Sequence, residues 1–153
     1  MEFLKTVFEQ QFQNVRTYIQ SGNVCFDTDN AIDLEQRIFK LIAENVGFQV
    51  PVVIRSIEEL KTVVDQNPYP NHVDEGTKKL YVFFLSKEAP ANALELLASA
   101  LLEGENVTFM GNHIYFTTNG LGNSKFTNNI VDKKLGLTST TRNWATTNKV
   151  IAL

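Results

Sequence analysis

The sequence predicts an α+β fold made of two consecutive copies of one small unit, with mainly antiparallel strands. Three observations carry this. Apolar residues switch repeatedly between a helical period and a period of two. Landmark residues of the first half return in the second at nearly constant spacing. The chain has 153 residues, 43% apolar and 20% charged, which suits one compact domain or two small fused ones.

The elements follow in order. Leu4, Val7, Phe8 and Phe12 form one apolar stripe, so residues 2–13 read as a helix. Val15, Thr17 and Ile19 alternate with Arg16, Tyr18 and Gln20, which is a strand. Ser21-Gly22 turns the chain, and Val24 to Thr28 returns as a second strand. Asp29 or Asn30 is positioned to cap a helix whose stripe is Leu34, Ile38, Leu41, Ile42 and Val46, with Gly47 as its stop. Val50 to Arg55 reads as a strand, with Pro51 marking an edge or a position whose N–H is not needed. Ser56 to Glu59 is a capping box, and its helix must end before Asn67-Pro68.

After a loop from Pro68 to Gly76, Leu80 to Leu85 is an unbroken apolar run, as expected of a strand buried on both faces. Pro90 opens a helix with Leu94, Leu97, Ala98 and Leu101 inward. Val107 to Met110 and His113 to Thr117 make a hairpin around Gly111-Asn112. A Gly-rich loop, Asn119 to Asn123, leads into a helix over 124–135, stopped by Gly136. Thr138 to Thr141 is a short strand, and 143–152 a last helix.

The repeat is visible in pairs of landmarks. Asn14-Val15 matches Asn106-Val107, Gly22-Asn23 matches Gly111-Asn112, Gly47-Phe48 matches Gly136-Leu137, and Arg55-Ser56 matches Arg142-Asn143. The offsets are 92, 89, 89 and 87 residues, so the register holds with small gaps. Residues 77–153 then spell β-α-β-β-α-β, the split βαβ or ferredoxin-like order. Residues 1–76 spell the same order without its opening strand. That strand normally lies inside the sheet, and its absence leaves two edges of unsatisfied N–H and C=O groups. The expectation is a chain shortened at its N-terminus, with another chain as one source of the strand.

The segments "VRTYIQSGNVCFDT", "PVVIRSIEEL", "NPYP", "LYVFFLS", "GNSKFTNN" and "LGLTSTTRNWATTNKV" together resemble the bacterial domain-of-unknown-function 1697 family over essentially the whole chain. The resemblance implies two fused ferredoxin-like units in a bacterial protein. Such proteins usually begin with a strand and an "RGINVGG"-like loop, and this sequence has neither. The family carries no assigned activity, so the resemblance implies a fold and no reaction.

Composition excludes several classes. No 18-residue apolar stretch exists to span a membrane, and no secretory signal is read at the N-terminus. A lone cysteine, Cys25, excludes an internal disulfide and fits a reducing cytoplasm. A net charge of −3 argues against sequence-blind nucleic-acid binding by the whole surface. The charge is unevenly spread. Residues 119–153 hold Lys125, Lys133, Lys134, Arg142 and Lys149 against Asp132, a local +4, leaving −7 on the first 118 residues.

Two clusters carry candidate chemistry. Gly120-Leu121-Gly122-Asn123-Ser124-Lys125 precedes a helix, where backbone N–H groups, the Ser124 hydroxyl and the Lys125 ammonium suit an anion. Arg142, Asn143, Trp144, Thr147 and Lys149 form the second, with Asn143 a helix cap and Trp144 a stacking or anchoring side chain. The plainer alternatives are a flexible connector, a core tryptophan and an arginine paired with an acid.

Ser21 lacks a nucleophile elbow, Cys25 lies mid-strand as a buried thiol, and His72 and His113 have no neighbours at metal spacing. Tyr18, Tyr81, Phe83 and Tyr115 could stack bases, yet the RNA-binding signature is missing, and packing is the simpler role. The expected function is a cofactor-free binding module for a nucleotide, phosphate or nucleic-acid backbone, through Gly122, Ser124, Lys125, Arg142, Asn143, Trp144 and Lys149. The alternatives are an enzyme acting on a small polar molecule between the repeats, or an interaction subunit pairing through a sheet edge as a homodimer.

Overall fold

The computed structural model describes residues 1–18, 22–120 and 124–153. Ser21 and Gly122, both singled out above, lie outside the described residues. The chain divides into two compact units, Met1–Ile54 with Lys149–Leu153, and Arg55–Asn148.

The first unit opens with α1 (Glu2–Glu9), followed by β1 (Gln13–Tyr18), β2 (Asn23–Asp27) and α2 (Leu34–Val46). The helix is shorter than its stripe predicts. Asn14 takes a left-handed φ of 51°, a conformation asparagine tolerates, and its Nδ2 donates to Asp27 Oδ2 at 2.7 Å. This kink turns the chain into β1 early and leaves a bulge between Gln13 and Arg16. Phe12 keeps its core position just beyond the helix, 4.3 Å from Phe26 between ring centroids.

The cap of α2 also differs from expectation. Asn30 Oδ1 accepts the Ile32 N–H at 2.9 Å, forming a local turn, and the helix starts only after Asp33, whose φ is 50°. Gly47 ends α2 at φ 86°, as predicted. Val7, Phe8, Val15, Ile38 and Leu41 form the core.

The strand expected over Val50 to Arg55 does not form; the stretch joins neither sheet. Its side chains nevertheless alternate, with Val50, Val52 and Ile54 packed on the first unit's core. The pattern of two is therefore real, although among the described residues the stretch pairs with no strand of either sheet. Among the described residues, the first unit's sheet has two strands, β1 and β2, paired antiparallel.

The second unit contains α3 (Ile57–Asp65), β3 (Lys79–Leu85), α4 (Ala93–Leu97), β4 (Asn106–Met110), β5 (His113–Thr118), α5 (Asn128–Leu135) and β6 (Ser139–Asn143), followed by α6 (Trp144–Ile151), whose last residues group with the first unit. The capping box of α3 is complete: Glu59 N–H donates to Ser56 Oγ at 3.1 Å and Ser56 N–H to Glu59 Oε2 at 2.7 Å. The four strands lie in the order β4-β5-β3-β6, every pair antiparallel.

β3 is interior to this sheet. Phe83 and Leu85 join the core formed with Phe126, Val131 and Leu135, while Val82 is fully buried on the opposite face. That other face meets α3, where Tyr115 Oη donates to the Val63 carbonyl at 2.7 Å. Burial pushes the Tyr115 phenol up to about 12.

α4 is short and passes into a 3-10 turn, Ala98–Ala100. The tighter winding shifts the buried stripe to Ala93, Leu97 and Ala100. Leu94, expected inward, is 54% exposed, and Ala98 also faces out.

Candidate functional site

The predicted anion loop does not open directly into a helix. α5 begins at Asn128, with Thr127 as its cap: the Ile130 N–H donates to Thr127 Oγ1 at 3.4 Å. Ser124 instead closes a small turn by accepting the Phe126 N–H at 3.2 Å. The cause is Phe126, which is buried against Phe116 and Phe83 with ring centroids 4.7 and 5.2 Å away. Drawing that ring into the core delays the helix. Ser124 and Lys125 consequently stand ahead of the helix start, with Lys125 exposed. Gly120, at φ 61°, approaches the Thr77 backbone so closely that a Cβ would collide with the Thr77 carbonyl. This glycine is required for packing.

Arg142 lies within β6, opposite Val82. Its Nη1 donates to Thr140 Oγ1 at 2.7 Å and to the Thr141 carbonyl at 2.8 Å, and burial lowers its pKa. Asn143 caps α6 as expected, accepting the Thr146 N–H at 2.8 Å, and Trp144 is half-buried at the first helical position. Thus Arg142, Asn143 and Trp144 are neighbours at one strand–helix junction. Lys149, exposed in the last turn of α6, belongs to the first unit.

Two polar clusters escaped the sequence reading. In the first, Arg55 Nε donates to His113 Nε2 at 2.9 Å, and Arg55 Nη2 donates to the carbonyls of Leu85 (2.7 Å) and Asn112 (3.0 Å). The guanidinium also lies 5.8 Å from the Phe84 ring centroid. It therefore fastens the end of β3 to the β4–β5 turn. His113 is pushed down to about 4, chiefly by burial and then by the Arg55 cation; Glu59 and a Met110 backbone hydrogen bond oppose the shift. At neutral pH the ring is neutral. Its Nε2 lone pair is engaged by Arg55, which places the proton on Nδ1 and leaves no free base there. The ring borders a concavity of about 340 Å³ with Thr62, Gln66, Met110 and Asn112.

In the second cluster, Thr141 Oγ1 donates to Asn128 Oδ1 (2.8 Å), Asn128 Nδ2 to Ser139 Oγ (2.8 Å), and Ser139 Oγ to Asp132 Oδ1 (2.6 Å). The network pins the first turns of α5 to β6. Its signal in the sequence is a pair of polar residues four apart on a helix and another pair two apart on a strand. Each of these four side chains is engaged within the cluster. Among the described residues, no group of three or more His, Cys, Asp or Glu is arranged to hold a metal ion, and no helix is long and apolar enough to cross a membrane.

The first unit presents a different kind of site. Val24 and Phe26 of β2 pack toward the same core as Val50, Val52 and Ile54. The intervening residue, Cys25, is buried on the other side of the hairpin, with its Sγ 3.7 Å from the Val150 carbonyl. Burial raises the thiol pKa, and the Arg16 cation opposes this more weakly. Val50 and Val52 thus alternate into the core that β2 also packs on, without belonging to either sheet.

No curated protein matches the chain. A solved structure described as the conserved bacterial protein SP0830 from Streptococcus pneumoniae is similar in fold, with a TM-score of 0.69 and 18% identity, over 99% of this chain and 86% of that one. The family described as "Protein of unknown function (DUF1697)" matches residues 1–115, and the chain belongs to that family.

Proposed function

We propose that the chain is a protein-interaction module that works by strand addition: the first unit's sheet accepts an extended polypeptide segment beside β2. The observation that carries this is Val50 and Val52 alternating into the core without joining a sheet. A segment extended and half-packed in this way has already spent the conformational entropy of a strand, which lowers the cost of pairing.

Tandem duplication supports the reading. On this view residues 1–76 and 77–153 are two ferredoxin-like copies. In the second, β3 lies between β5 and β6. In the first, β2 stands for β5 and residues 50–54 stand for β6, and among the described residues no strand takes the part of β3. The repeated arginines agree with such an origin, each preceding a capped helix: Arg55 before Ser56 and α3, Arg142 before Asn143 and α6.

The duplication also supplies a probe, a lysine-flanked peptide carrying residues 79–85, the sequence that fills the equivalent slot. Amide exchange by NMR is expected to show rapid exchange, in the free protein, at residues 50–53 and at those amides of residues 24–26 that do not donate to β1. Saturable protection at alternate residues of both segments is expected when the peptide is added. Strong protection of both segments in the free protein, or none with the peptide, overturns the proposal.

A further inference from the structure

Independently of strand acceptance, and wholly within the second unit, we infer that the concavity beside His113 binds a neutral planar heterocycle carrying a hydrogen-bond donor and acceptor side by side, the chemistry of a nucleobase or nucleoside. Its volume of about 340 Å³ lies at the small end of ligand sites, roughly 300–1,000 Å³. One wall is the second half of α3 and its cap, through Thr62, Val63 and Gln66. The other is the β4–β5 hairpin, through Met110, Asn112 and His113. Two fastenings hold these walls. Tyr115 Oη donates to the Val63 carbonyl at 2.7 Å. The Asn112 carbonyl accepts the Leu85 N–H at 2.9 Å and Arg55 Nη2 at 3.0 Å. A ligand therefore meets walls already in place and loses little affinity to ordering them.

The lining selects the class of ligand. Among the described residues that border the concavity, none is charged at neutral pH; the His113 ring is neutral, with its nitrogens turned to Arg55 and to the Met110 backbone. An ionised ligand would lose water there and meet no counter-charge. Val63, Met110 and the imidazole make an apolar surface, and a polarisable thioether suits a flat ring. The hydroxyls are already committed, Thr62 Oγ1 to the Glu58 carbonyl at 3.0 Å and Tyr115 Oη to Val63. Two carboxamides remain. Among the described residues, neither the Gln66 nor the Asn112 side chain has a hydrogen-bond partner within the protein, yet each is anchored through its backbone. Gln66 N–H donates to the Thr62 carbonyl at 2.9 Å, and Asn112 is held by the bonds above. A carboxamide sets an acceptor beside a donor in one plane, the pattern that the edge of a base such as adenine matches with two hydrogen bonds. A sugar, with hydroxyls all round and no flat face, matches neither the carboxamides nor the apolar wall.

Titration of the whole chain with adenosine, uridine and adenosine monophosphate, followed by NMR, tests this. Adenosine or uridine is expected to shift the side-chain NH2 signals of Gln66 and Asn112 saturably, with a Kd of about 1 mM or tighter. Gln66→Met and Asn112→Ala each remove a carboxamide that has no internal hydrogen bond to lose. Each is expected to weaken binding by about fivefold or more and to leave the rest of the spectrum in place. The monophosphate is expected to bind no more tightly than adenosine. Absence of saturable shifts with both nucleosides overturns the inference without use of any variant, and so does unchanged affinity in either variant. Monophosphate binding that is about tenfold tighter and weakened by salt overturns the neutral-ligand requirement and marks a phosphate site instead. All of these outcomes are separate from strand acceptance, which is read at β2 and residues 50–53.

Discussion

Gly120 is where backbone chemistry is least negotiable. Its φ of 61° and the closeness of the Thr77 carbonyl exclude a Cβ. Gly120→Ala is expected to destabilise the second unit by about 1–3 kcal/mol, read as a lower urea midpoint at unchanged slope. His113 supplies a pH dependence. Its folded pKa of about 4 lies below the ordinary 6.5, so between those values the unfolded chain binds a proton that the folded chain refuses. This contribution is complete above pH 6.5 and is lost as pH falls toward 4; His113→Gln is expected to flatten that limb of the stability curve. Arg55→Met is expected to raise the His113 pKa, measured by NMR titration, because it removes the second-largest depressing cause. None of this was legible in the sequence. Arg55 and His113 are 58 residues apart, and only the fold brings them within hydrogen-bond reach. Cys25 was legible, because a thiol in the middle of an alternating strand has few places to point.

Elements were more readable where local chemistry acts alone. The Ser56–Glu59 capping box formed as its spacing predicted, and Ser56→Ala is expected to cost about 1 kcal/mol in thermal or urea unfolding. Gly47 and Gly136 end their helices in the left-handed conformation for the same reason. The misread elements were those where tertiary packing overrode local preference. Phe126 entering the core moved the start of α5 from 124 to 128. The 3-10 turn after α4 rotated Leu94 out to solvent. Residues 50–54 kept their alternation, but a strand needs a partner, and no local pattern shows whether one is present.

The two units carry unequal sheets, and their stabilities should differ accordingly. A two-stranded sheet is marginal without further cover, whereas β3 is hydrogen-bonded on both sides and buried. Native-state hydrogen exchange is expected to rank β3 amides slowest and those of β1 and β2 faster, by roughly tenfold or more. Equal rates would show that the first unit draws its stability from elsewhere. At this scale the order of elements was readable from landmark spacing. The partition was not: α3 lies within the first half of the sequence, residues 1–76, yet packs within the second unit, through Val63 and Tyr115. Nothing in the amphipathic pattern of a helix names the sheet it will lie on.

The all-polar character of β6 bears on how the protein behaves when concentrated. Ser139 to Asn143 terminates its sheet with hydroxyl, guanidinium and amide groups, a surface that water wets and that other molecules gain little by displacing. β2 and residues 50–53 carry no such unbroken run of polar side chains, with valine at 24, 50, 52 and 53. Turbidity on storage should therefore start from the amino-terminal half.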